Sequence, residues 1–126
     1  MADSVRSWAW THRPLIIFAP DEHNAKLATQ RSRLKDVRSE MHDRDMTLIE
    51  IVATRASIIV GPDRNIDGRQ LKERLGIADD GFAVVLLGKD TGVKLRSPDP
   101  VQAKDVFSLI DGMPMRRREM MRDDAS

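Results

Sequence analysis

Cysteine is missing from all 126 positions. That one absence removes disulfides, thiolate chemistry and Cys-ligated zinc together. It leaves the compartment open, since a cysteine-free domain tolerates oxidising and reducing surroundings alike. A dominant charge is lacking too: 21 Lys and Arg stand against 20 Asp and Glu, for a net charge of +1. No whole-molecule field therefore draws the chain to nucleic acid or to an anionic membrane surface. Long apolar runs are also absent. The longest, Phe82 to Leu87, falls far short of the roughly 20 residues a membrane-spanning helix needs. The opening Met-Ala-Asp-Ser-Val-Arg-Ser-Trp holds no apolar core of a secretion signal. A cytoplasmic protein is expected, or a periplasmic or secreted mature form whose leader an initiator Met has replaced.

What is present fits one globular domain. The apolar fraction of 40% is ordinary and the charged fraction of 33% somewhat high. A chain of this length buries roughly two-thirds of its unfolded surface, enough for an unaided core. A single domain over 1–126 is expected, with 1–12 an extended lead-in and 113–126 a Met/Arg-rich tail. Trp8 and Trp10 in the lead-in read as packing aromatics at an edge of the core.

Pattern then assigns the elements. Gly81 to Arg96 reads as two antiparallel strands joined by Gly88-Lys89-Asp90-Thr91-Gly92. Phe82–Leu87 is apolar on both faces and must be covered on both. Val93-Lys94-Leu95-Arg96 alternates, apolar inward and basic outward. Leu15–Ala19 is another buried run, ended by Pro20. Thr47–Ala53 is β-branched but carries Glu50, which suggests a less buried place. Ser57–Val60 either extends it or forms an extra strand.

Asp21 is expected to cap one long helix reaching about Met41, with Leu27, Leu34, Val37 and Met41 as its apolar stripe. Gln30 lies on or beside that stripe and reads as hydrogen-bonded to nearby backbone. Gln70–Leu75 is a short helix closed by Gly76. Asp99, Pro100 and Gln102 open the last helix in a near capping box, and Asp111-Gly112 ends it.

The order is strand, helix, strand, helix, strand, strand, helix, with a right-handed crossover joining the first two strands. Placing the charged strands outside gives a mixed four-stranded sheet of order 2-1-3-4 with helices on both faces. The second strand then becomes an edge open to pairing with another chain, and the oligomeric state stays open. This is a thioredoxin-like α/β arrangement. In that fold a redox Cys pair sits where the first strand meets the first helix, and here Ala19-Pro20-Asp21-Glu22-His23-Asn24 offers no thiol. Thiol redox activity is excluded.

Other chemistries find little support. His12, His23 and His42 share no element and no metal-ligand spacing, so no metal is expected. No phosphate loop or dinucleotide fingerprint appears, and no cofactor is expected. Arg116, Arg117, Arg118 and Arg122 are balanced by Asp111, Glu119, Asp123 and Asp124, and the segment has no aromatic to stack a base, so nucleic acid is not an expected partner. The tail methionines read as a flexible apolar seam. What stands out is the hairpin, where Lys89, Asp90, Lys94 and Arg96 gather three cations and one anion fit to meet an acidic group.

Several of these stretches taken together resemble a known family. They are Trp10 to Pro20, Gln30, Arg44-Asp45, Gly81 to Arg96, and Ile110-Asp111-Gly112-Met113-Pro114-Met115-Arg116. The family is the bacterial branch of the DUDES domains, relatives of the C-terminal domains of sushi-repeat-containing and equarin-type extracellular proteins. The resemblance covers nearly the whole chain. It implies a thioredoxin-like fold, frequent export and no established reaction. Its polar signature falls on Arg13, Gln30, Arg44, Asp45, Lys89, Asp90, Lys94, Asp111 and Arg116.

Three readings follow. One is a non-enzymatic interaction module whose partner, a protein or an anionic small molecule, meets Lys89, Asp90 and Lys94. Arg96, Asp111, Arg116, Arg13 and Gln30 complete its candidate binding set. Another is a cysteine-independent enzyme with Asp90 or Asp111 as acid/base and Lys or Arg holding an anionic substrate. The last makes the polar set a structural network that locks the C-terminal segment onto the hairpin.

Overall fold

The computed structural model describes residues 11–125, so Trp8 and Trp10 lie outside the described residues. Along the chain run β1 (Arg13–Ala19), α1 (Ala25–Arg33), α2 (Arg38–Asp43), β2 (Met46–Val52), β3 (Arg55–Val60) and α3 (Gly68–Leu75). β4 (Ala83–Leu87), β5 (Val93–Ser97), α4 (Ala103–Asp111) and α5 (Pro114–Ala125) follow. The strands form one sheet in the order β3-β2-β1-β4-β5. β1 and β2 are parallel, and the other neighbouring pairs are antiparallel.

Strands apolar on both faces sit in the middle, where two layers cover them. Every residue of β1 and β4 is buried. On one face Leu15 and Ile17 pack with Leu27, Leu34, Met41, Val106 and Ile110, from α1, α2 and α4 and the turn between the first two. On the other, Ile16 and Phe18 pack with Ile49, Ile51, Val85 and Leu71, the last from α3. α3 is closed as expected, with Asp67 capping its start and Gly76 at φ +67 ending it.

The sheet has five strands rather than four, and β2 is interior rather than an edge. Ser57–Val60 belongs to β3, which pairs antiparallel with β2 and covers the edge expected to be open. Ala53 makes the reversal between them at φ +56, a residue type that gives no turn signal. Glu50 suggested exposure, yet its side chain is only 8% exposed. Arg31 reaches over it, with Nη2 2.7 Å from Oε1 and Nε 3.0 Å from Oε2. A paired carboxylate can sit in an interior strand.

The long helix expected from Asp21 to Met41 is two helices, broken at a turn in which Asp36 takes φ +65. Asn24 rather than Asp21 caps α1, its Oδ1 accepting from the N–H of Lys26 at 3.0 Å and of Leu27 at 3.2 Å. The apolar stripe survives the break because Leu27, Leu34 and Met41 still meet one cluster. The capping box expected at Asp99–Gln102 does not form. Ser97 and Asp99 close a turn of their own, and α4 starts after Gln102 with no side-chain cap. The tail, expected as a flexible seam, is helix α5 with Pro114 at its first position, where a proline costs nothing.

Candidate functional site

Six charged side chains of the polar signature, Arg13, Arg44, Asp45, Lys89, Asp111 and Arg116, converge at the end of the sheet where β1 begins and β4 finishes. Arg13 opens β1, and its side chain is 1% exposed. Its Nη2 donates to Glu119 Oε1 at 2.9 Å and its Nη1 to the Arg44 carbonyl at 2.8 Å. Glu119 stands on α5 and accepts a second cation, Lys89 Nζ, at 2.7 Å. Lys89 in turn reaches Asp45 Oδ2 at 2.9 Å. A second chain of charges runs alongside. Arg44 makes a two-pronged bond to Asp111, at 3.1 and 2.9 Å, with its guanidinium 4.5 Å from the centre of the Phe107 ring. Arg116 Nε also reaches Asp111, at 3.2 Å, and its Nη2 meets Asp43 Oδ2 at 2.7 Å.

Cations and carboxylates therefore alternate: Arg13, Lys89, Arg44 and Arg116 against Glu119, Asp45, Asp111 and Asp43. The Asp43–Asp45 turn and α5 join the two halves. Of the residues expected to form a site, Arg13, Lys89, Asp111 and Arg116 fall in this cluster, with Arg44 and Asp45 of the family signature. Asp90 and Lys94 stay within the hairpin turn, paired to each other at 2.9 Å. Arg96 turns away and donates to the carbonyls of Leu75 and Gly76 at the end of α3. Gln30 also lies apart. It is fully buried, and both ends of its amide bond the backbone of Val101, at 3.0 and 2.7 Å.

Sequence reasoning missed Glu119 and Asp43. Arg116 and Glu119 are three residues apart, neighbours on one helix face. That spacing was the available signal, hidden while the tail was read as irregular.

Arg13, Lys89, Lys94, Asp90 and Gly88 also line a cleft of about 260 Å³, whose other wall is Met113, Pro114 and Met115. The Arg13 Nε is buried and has no hydrogen-bond partner among the described residues. At the start of α1, where this fold type carries reactive groups, Asn24 takes up the free N–H groups with its own side chain. Among the described residues no three His, Cys, Asp or Glu side chains gather to hold a metal ion.

Burial pushes the Glu119 carboxyl up, but hydrogen bonds from Arg13 and Lys89 outweigh it and hold the group below its ordinary value. Asp111 behaves alike: burial raises it, and Arg44 and Arg116 bring it below the usual range. The Gly92 N–H and then Lys94 lower Asp90. A carboxyl whose folded value lies below its unfolded one adds stability above roughly pH 4, and loses that addition as pH falls through the folded value. Urea stability should therefore hold from neutral pH to about pH 5 and decline below it. Glu119→Gln should decline less steeply than wild type; equal slopes would contradict the shift at Glu119.

Residues 4–119 match a family described as a domain of unknown function, DUF4174. The chain belongs to that family. Among solved structures it resembles thioredoxin peroxidase I of Plasmodium yoelii, with 12% identity, a TM-score of 0.61, and 89% of this chain and 78% of that one covered. The reduced 2-Cys peroxiredoxin of Plasmodium vivax matches with 11% identity and a TM-score of 0.63, over 89% and 83% of the two chains. At such identities the likeness establishes the thioredoxin-like fold and nothing of the chemistry. Among the described residues no helix is long and apolar enough to cross a membrane.

Proposed function

We propose that this thioredoxin-like domain is a non-enzymatic binding module, whose charged cluster clasps α5 to the end of the sheet and shapes a cleft for an acidic group. The DUDES resemblance belongs to the same reading, as a scaffold kept without its redox site. One observation carries it: Arg13, whose buried Nε–H has no partner among the described residues, is one of the residues that line the cleft, together with Lys89 and Lys94. A buried N–H without an acceptor costs about 1–3 kcal/mol, which a carboxylate that reached it from the cleft would recover. The enzymatic alternative fits less well. Asp90 and Asp111 are both held ionised, so neither donates a proton at neutral pH, and a carboxylate of lowered pKa is a weak base.

The test is an amide NMR titration of the full chain with acetate and with a short Glu-rich peptide. Shifts should be saturable, centred on Gly88–Lys94, Met113 and Met115, and weaker in Lys94→Gln and in Arg13→Lys, which removes Nε but keeps the charge. If neither ligand moves those amides, the cleft is not a binding site and the cluster is structural alone.

A further inference from the structure

The sheet is wider than the helical layer over its first face. α1 packs chiefly on β1 and α2 on β2, whereas the helix that packs on β3 is α3, which lies on the other face. Between the α1–α2 turn and β3 the first face is left with a cavity of about 420 Å³, within the range of small-molecule sites. Leu34, Met41, Leu48 and Val60 line it. So does Ile59, the extra residue where the β2–β3 register shifts, which is 41% exposed. A bulge of this kind re-aims a side chain.

Charge at the mouth is uneven. Arg31 is committed to Glu22 and Glu50. Among the described residues Arg38 donates only to the Ile59 carbonyl, at 3.3 Å, and reaches no carboxylate. The Lys35 ammonium has no partner among the described residues. Two cations without a carboxylate partner among the described residues thus line the cavity beside its apolar wall, while Glu50 and Asp36, which line it too, disfavour a ligand with several negative charges. We infer that this cavity binds an amphipathic monocarboxylate of medium chain length, with its alkyl chain on Leu34, Met41, Leu48 and Val60 and its carboxylate between Lys35 and Arg38. The inference stands apart from the cleft at Arg13, which lies at the end of the sheet and shares none of these residues.

The test is an amide NMR titration of the full chain with octanoate, and with octanol and octyltrimethylammonium as the neutral and cationic counterparts. Octanoate should shift the amides of Lys35, Asp36, Ile59 and Val60 saturably. It should bind at least about tenfold more tightly than octanol, the size of one good charge-assisted hydrogen bond. Lys35→Gln/Arg38→Gln, a surface change that leaves the core intact, should bring octanoate down to octanol's affinity. Val60→Trp should weaken both by filling the cavity. Octanol binding as tightly as octanoate, an unaffected double variant, or shifts confined to Gly88–Met115 would each overturn the inference.

Discussion

Glu119→Ala is expected to remove about 3 kcal/mol of stability and to free α5 from the sheet end. Glu119 is 11% exposed and answers two cations, Arg13 at 1% and Lys89 at 8% exposure. Removing one member of a buried ionic set costs about 3–5 kcal/mol, because the charges left behind stay desolvated. The low end applies here, since Lys89 keeps Asp45 and Arg13 keeps the Arg44 carbonyl. That is still a large part of the 5–15 kcal/mol a domain holds in total. Urea unfolding measures the loss. Native-state amide exchange should add where the contact acts: α5 opens locally and loses most of its protection, while β1 and β4 lose only the global stability that urea reports. A loss under about 1 kcal/mol, within the range of an exposed pair, would mean that water already solvates the cluster.

Phe18→Ala should cost about 3–5 kcal/mol and act everywhere at once. Phe18 is 1% exposed in the central strand, on the face that α3 covers, among Ile16, Ile49, Ile51, Leu71 and Val85. Its removal leaves a void that flanking strands cannot close without breaking their ladders, so the whole sheet is destabilised. Exchange protection should fall in every strand as well as in α5. The contrast matters more than either value. Glu119→Ala is predicted to open α5 locally on top of its global cost and Phe18→Ala to act through the global cost alone, although each removes a few kcal/mol.

The middle of the fold was legible because it depends on strands apolar on both faces, a signal that needs no tertiary context. Leu15–Ala19 and Phe82–Leu87 announce two central strands, and β1 and β4 are those strands. The periphery was harder wherever a tertiary partner changed a residue's meaning. Glu50 looked like an edge residue because its neutralising Arg31 comes from a helix earlier in the chain. Asp36 and Ala53 adopt left-handed backbone without being glycine, so a helix break and a hairpin turn passed unannounced.

At the candidate site, Lys89 was found by pattern, among the charges of the hairpin. The family resemblance added Arg13, Arg44, Asp45, Asp111 and Arg116. Glu119 was counted only as a charge that cancels the tail arginines. Its role rests on α5 folding back over the start of β1, a contact 106 residues apart in sequence. Arg96 shows the converse. It alternates correctly with Lys94 on the outer face of its strand but spends its guanidinium on the carbonyls that end α3.

The clasp is tested most directly by a double-mutant cycle on Arg13 and Glu119, each replaced by Met, singly and together, with stability read from urea unfolding. If the pair holds α5 in place, each single change should be severe. The double change should be milder than their sum, leaving a coupling of about 1–3 kcal/mol, because two apolar residues of similar volume strand no charge. Additivity within about 0.5 kcal/mol would contradict the account and make the contact between Arg13 and Glu119 an incidental one.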